Sequence, residues 1–128
     1  MGNMDIGILE KVGLTRGEAK TYLALLDSGQ STTGPIVEKS GVSTSKTYKI
    51  LKRLEQKGLV SHVIKRNVVH WSAASPKRIL ELLENQEKEV AAKKKEVEAI
   101  LPELMKKIEL TKERQTAEVY VGIKGMIS

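Results

Sequence analysis

The apolar residues of this chain change period at Gly58, and few folds accommodate that change. Before the glycine they recur at three and four residues, the spacing of helices that bury one face. From Leu59 to Lys65 and from Val68 to Ala73 they alternate, and β-branched residues dominate, which predicts two strands. Beyond Ser75-Pro76 the helical spacing returns. A chain of 128 residues has room for one core and one appended element, not for two full domains. With 3% aromatic residues and no Phe, that core is aliphatic.

The local signals place the elements. Thr15 and Glu18 form a capping box ahead of a helix that carries Ala19, Tyr22, Leu23 and Leu26 and stops at Gly29. A shorter amphipathic piece, Ile6 to Val12, precedes it. Thr32 or Thr33 is expected to cap a brief second helix with Pro35 in its first turn. That helix ends at Ser40-Gly41, where glycine suits a left-handed turn before Val42 returns to the core. Ser43 caps a third helix running to about Gly58, with Thr47, Ile50, Leu51 and Leu54 as its buried stripe. Arg66-Asn67 makes a tight turn between the strands, although Arg is an unusual first residue for one.

Charge is concentrated on these last elements. Residues 46 to 66 hold seven basic side chains against one acid, Glu55, so this stretch alone contributes +6, the whole net charge of the chain. Counting 100° per residue from the buried stripe puts Ser45, Lys49, Lys52 and Gln56 on the opposite face, flanked by Lys46, Tyr48 and Arg53. Such a surface is suited to a polyanion, and nucleic acid is the first candidate.

Other classes are excluded or weakened by composition. Without cysteine there is no disulfide framework, thiolate zinc site or cysteine nucleophile. No glycine-rich phosphate loop or nucleophile elbow occurs, and the acids lie mostly at solvent-facing positions of the long helix, so an enzyme is not expected. His62 and His70 fall on opposite faces of the hairpin if its loop has two residues, and together if it has three. With no third ligand nearby, neither a metal nor a cofactor is expected. No apolar run approaches the length of a membrane span, and the first residues lack the features of a secretion signal, so the expected location is cytoplasmic.

Helix, turn through Gly41, helix and hairpin occur in the order of a winged helix-turn-helix. The predicted fold is mainly α with a small β-hairpin, a winged helix over residues 1–75, followed by a long coiled-coil dimerisation helix over 76–113. An α-helix fits the major groove of B-DNA, where base edges present distinguishable donors and acceptors. Ser43, Thr44, Ser45 and Lys46 at the start of the third helix would enter deepest, with Tyr48 and Lys49 along the groove wall. Tyr48 could instead pack under the wing. Lys52 and Arg53 would grip phosphates, and Lys65 and Arg66 at the wing tip would reach a neighbouring backbone or minor groove. Trp71 is expected in the core.

In the long helix Leu83, Val90, Val97 and Leu104 recur at sevens, with Ile79, Leu101 and Ile108 beside them. These seven residues are the expected dimer seam, imperfect because Gln86, Lys93 and Lys107 hold companion positions. Pro102 is expected to kink or break the helix near Ile100. Residues 117 to 121 read as a strand.

The stretches from Val12 to Leu26 and from Gly41 to Val60 resemble the N-terminal domain of TrmB-type archaeal transcription regulators. The resemblance covers about residues 8 to 80. It implies a winged helix, a coiled coil that pairs two chains, and binding to palindromic promoter sites in double-stranded DNA through Ser43 to Lys49 and the wing around Arg66. Many members also carry a C-terminal domain that senses sugars. Residues 114–128 resemble only the start of that domain, so a sugar effector would have no site in this chain, and the expectation is an excised fragment or, as the alternative, a member with no effector domain. The competing expectation is a protein-docking adapter that uses the long helix as its partner surface.

Overall fold

The computed structural model describes the backbone of residues 2–127 and the side chains of residues 5–117. Its elements are α1 (Gly2–Val12), α2 (Arg16–Ser28), α3 (Thr33–Ser40), α4 (Thr44–Gln56), β1 (Val60–Lys65), β2 (Val68–Ala73) and α5 (Lys77–Ile127). The chain divides into two compact units, Met1–Gln86 and Glu87–Ser128. Among the described residues no helix is long and apolar enough to cross a membrane.

Local hydrogen bonding accounts for most of the boundaries. The capping box at α2 is complete: Glu18 N–H donates to Thr15 Oγ1 and Thr15 N–H to Glu18 Oε1, both at 3.1 Å. Gly41 adopts the left-handed conformation, φ 73° and ψ 9°, and its N–H closes α3 on the Val37 carbonyl. At the end of α4, Leu59 N–H donates to Leu54 O and Gly58 N–H to Glu55 O, with Gly58 at φ 78°. This pair of bonds is the Schellman motif, and burial of both Leu54 and Leu59 supplies its apolar contact. The motif turns the chain straight from α4 into β1.

Two expected caps differ. Thr32 and Ser43 hold the N-cap positions of α3 and α4, but neither side chain makes a capping bond. At α4 the Ser43 carbonyl takes Thr47 N–H at 2.9 Å and the Thr47 hydroxyl at 2.8 Å, while the Ser43 hydroxyl lies 3.4 Å from that of Ser45. Both serine hydroxyls are thus left at the surface.

The core joins Leu9 and Leu14 to Ala19, Tyr22 and Leu25 of α2, Ile36 of α3, Ile50, Leu51 and Leu54 of α4, and Trp71 of the hairpin. In α2 the buried line runs through Glu18, Tyr22 and Leu25, so Leu26 stands outside it and is 41% exposed. The reason is geometric, since Leu25 follows Glu18 by seven residues and shares its face.

The strands pair antiparallel, with Val60 opposite Ala73, His62 opposite Trp71, and Lys65 opposite Val68. Arg66 and Asn67 both have positive φ, 52° and 65°, which makes the loop a two-residue type I′ turn. His62 and His70 therefore lie on opposite faces, and among the described residues no three potential ligands gather into a metal site. Ser31 adds a single-residue bridge to the outer edge of β2, exchanging both backbone bonds with Trp71 at 2.9 and 2.7 Å.

The start of α5 belongs to the winged-helix unit. Ser75 Oγ accepts the Lys77 amide, Ile79 and Leu82 pack against the core, and Gln86 Nε2 donates to the Val12 carbonyl at 2.7 Å. Ile79, expected in the dimer seam, is thus engaged within its own unit. Gln86 is polar because it covers an orphan carbonyl at the end of α1.

Two further expectations are corrected. Pro102 lies inside α5, so of the expected kink or break the break does not occur. A proline removes one N–H, and a helix turn as exposed as this one leaves the released carbonyl open to solvent. Residues 117–121, expected as a strand, have helical backbone. A strand needs a partner, and the described strands pair only with each other and with Ser31; a helix bonds its backbone internally. The side chains of residues 118–121 lie outside those described.

Candidate nucleic-acid interface

Helix α4 buries Thr47, Ile50, Leu51 and Leu54 and turns its other long side chains outward, apart from the half-buried Glu55. Ser43, Thr44, Ser45, Lys46, Tyr48, Lys49, Lys52 and Arg53 are all exposed. The two flanks of this surface have different chemistry.

On the wing side, the Tyr48 ring meets Trp71 edge-on with centroids 6.3 Å apart, yet Tyr48 remains 49% exposed. One edge thus packs under the wing, as one of the two sequence alternatives has it, and the remainder faces solvent. Lys52 Nζ sits 5.1 Å from the centre of that ring, a cation–π contact that limits the freedom of the ammonium. One turn on, Glu55 bonds His62 Nδ1, and His62 lies against Trp71 with centroids 5.1 Å apart. The only acid of the basic stretch is thereby turned to the hairpin.

On the other flank, Lys46, Lys49 and Arg53 face α2. Together with Arg16 and Lys20 they line a groove of about 460 Å³ with Val42 and Ile50 among its apolar lining and no acidic residue. The helices approach closely there because residue 17 is glycine; a Cβ would stand 2.9 Å from Ile50 Cδ1. Arg16 and Lys20 lie outside the basic stretch of the sequence. Their spacing of four puts them on one side of α2, but only the α2–α4 packing brings that side to α4.

Two basic residues of the stretch are engaged internally. Lys57 Nζ bonds Glu18 Oε2 at 2.8 Å, and the Glu18 carboxylate is buried. Burial pushes the Glu18 carboxyl upward, but the Lys57 ammonium and the Thr15 amide and hydroxyl outweigh it and hold the group below its ordinary 4.5. Lys65 does not project freely from the wing tip; its ammonium bonds Gln30 Oε1 in the loop after α2. Arg66 stands exposed at the turn. Its left-handed backbone costs a residue with a Cβ about 1 kcal/mol that glycine would avoid.

The family model described as sugar-specific transcriptional regulator TrmB matches residues 9–84. The HTH-type sugar sensing transcriptional regulator TrmBL1 of Pyrococcus furiosus is 32% identical over 78 residues, which make up 57% of this chain and 21% of that protein. The chain thus spans about a fifth of the length of this curated relative. Among solved structures, TrmBL2, described as an archaeal chromatin protein with a novel mode of DNA binding, superposes with a TM-score of 0.63 at 24% identity, covering 78% of this chain and 43% of that one. A possible transcriptional regulator from Methanosarcina mazei gives a TM-score of 0.54 at 14% identity, over 75% of this chain and 88% of the other. YusO from Bacillus subtilis gives 0.51 at 23% identity, over 70% and 67%. These structural likenesses establish a shared winged-helix fold.

Proposed function

Because this chain belongs to the TrmB family of transcriptional regulators, we propose that it binds double-stranded DNA as a homodimer at palindromic promoter sites, with α4 in the major groove. The family is one of regulators, not enzymes. The observation that carries the reading is the surface of α4. Lys46, Lys49 and Arg53 are exposed there, and among the described residues none of the three has an ion-pair partner. In this reading Ser43, Thr44, Ser45, Lys46, Tyr48 and Lys49 read bases, the Ser43 and Ser45 hydroxyls being left unused by helix capping. Lys52, Arg53, Lys65 and Arg66 hold phosphates. The backbone strain accepted at Arg66 supports a role for that guanidinium beyond the turn.

The dimer arm is α5. Val90, Val97, Leu101, Leu104 and Ile108 are between 41% and 63% exposed, an apolar series left uncovered among the described residues. A second copy offers the same spacing, and the paired recognition helices would then sit about 34 Å apart, one turn of DNA. The sugar-sensing activity in the relative's name belongs to a protein several times longer, and no sugar site is assigned to this chain.

Fluorescence anisotropy on promoter DNA across a salt series tests the reading. Affinity is expected to fall steeply with salt as bound phosphates release counterions, and a flat dependence would overturn the proposal. For the arm, Val97→Lys with Leu104→Lys is expected to convert the dimer to a monomer by sedimentation equilibrium. A monomeric wild-type chain would remove the paired-site model while leaving DNA contact by one winged helix intact.

A further inference from the structure

We propose that the groove between α2 and α4 is a phosphate-binding site, that its occupant is the DNA backbone lying on the α2 side of the recognition helix, and that Arg16 and Lys20 are DNA-contacting residues. This rests on the DNA-binding reading above and adds a second element to the interface.

The argument starts from charge. Two helices far apart in sequence bring Arg16, Lys20, Lys46, Lys49 and Arg53 to one groove whose lining includes no acid. Among the described residues none of the five forms an ion pair. Like charges gathered in this way repel, and an ordinary solvated surface avoids it by mixing signs. Helix α5 does so: Lys88 stands between Glu87 and Glu89, and Lys95 is followed by Glu96. The groove does not, and an anion would relieve the repulsion. The buried Ile50 side chain in the lining lowers the local polarity and strengthens attraction to such an anion.

Geometry identifies the anion. A helix in the major groove, which is about 12 Å wide, has a sugar–phosphate backbone on each side. On the wing side of α4, Lys52 is poised over Tyr48, and the hairpin adds Lys65 and Arg66. On the α2 side, Lys46, Lys49 and Arg53 turn toward Arg16 and Lys20. Each backbone would then meet cations from α4 and from one neighbouring element. The planar guanidinium of Arg16 offers two parallel N–H groups to a phosphate, and Lys20 adds a compact charge.

The test uses the full chain and compares wild type with Arg16→Ala/Lys20→Ala on a selected promoter duplex and on unrelated duplex DNA. Each lost contact is expected to weaken binding about tenfold, equally for both duplexes, because phosphates carry no sequence information. The plot of log affinity against log salt should become shallower by about 1.8 for the two phosphates. A control with the same change of charge, Lys88→Ala/Lys95→Ala, should leave affinity within about twofold. If the alanine pair fails to fold by circular dichroism, Arg16→Gln/Lys20→Gln provides the same loss of charge with longer side chains. Wild-type binding that the double variant leaves unchanged would overturn the groove assignment and spare the DNA reading. Absence of wild-type binding would sink both. Chemical-shift titration with inorganic pyrophosphate distinguishes a free anion: saturable binding lost in the double variant, with duplex affinity unaffected, would assign the groove to a small phosphate and overturn the backbone proposal.

Discussion

Replacing Lys57 by methionine is expected to destabilise the winged-helix unit by about 3 kcal/mol, because it leaves the buried Glu18 carboxylate without its counter-charge. The estimate is at the low end for a broken buried pair since Lys57 itself is 31% exposed. In a unit of this size the loss corresponds to a fall of about 15 °C in Tm at fixed protein concentration. Adding Glu18→Gln should recover much of it, since glutamine can still reach back to the Thr15 amide. A double-mutant cycle isolates the pair from the cap. The pH profile separates the cases further. In the wild type the depressed Glu18 carboxyl contributes stability above its ordinary 4.5, and that contribution disappears as pH falls through the lower folded value. In Lys57→Met the lowering by the ammonium is gone while the upward push of burial remains, so the carboxyl moves up from its wild-type position and the penalty shrinks on acidification. Equal melting temperatures for wild type and variant at pH 7 would refute this account. DNA affinity should change little, because Lys57 is turned to α2 and not to the α4 surface.

Lys49→Glu is expected to have the largest effect on binding. The residue lies opposite the buried stripe and also borders the α2–α4 groove, so reversal removes one charge-assisted contact and sets a carboxylate against phosphate. The sum is about 3 kcal/mol, or about a hundredfold in affinity. Because the side chain is exposed, Tm should move by no more than about 2 °C. Lys49→Gln should lose about tenfold and lower the salt slope by about one. An unchanged affinity for Lys49→Glu, measured by anisotropy at moderate salt, would exclude α4 as the recognition helix. Loss of a captured protein in the same variant would then favour a docking adapter.

The readings that held are those in which cause and effect lie within a few residues. Thr15 and Glu18 are three apart, Gly41 must solve its own turn, and the alternation of β1 and β2 fixes which side chains share a face once two residues close the loop. What escaped is long-range. Nothing near Lys57 in sequence marks Glu18, 39 positions away, as its partner. Lys65 reaches Gln30 across 35 positions, and Gln86 reaches Val12 across 74. Arg16 and Lys20 carry no mark of a site in the sequence, because the groove exists only after α2 and α4 pack. Leu26 falls one position off the buried line, and sequence alone does not separate it from Leu25, which is chemically alike and differs only in its place on the helix turn. Residues 117–121 have strand-like composition, but composition does not supply a neighbouring strand.

The bridge at Ser31 divides the hairpin by how readily it opens. Near its root, Trp71 exchanges two backbone bonds with Ser31, Ala74 N–H donates to Leu59 O, and the Tyr22 hydroxyl donates to Ala74 O at 3.1 Å. Opening there requires the core to separate. Beyond Trp71 the ladder is more open, with Val69 only partly buried against the core, Lys65 tied to Gln30 by its side chain, and Arg66 and Asn67 exposed at the turn. Amide hydrogen exchange should therefore be graded along one hairpin, with the Trp71 amide following global unfolding and those at the tip exchanging through local fraying. Such a wing is anchored like a hinge pin at its base and freer at its turn; in the proposed DNA complex that freedom would let the Arg66 guanidinium follow small variations in groove width without disturbing the helix beside it.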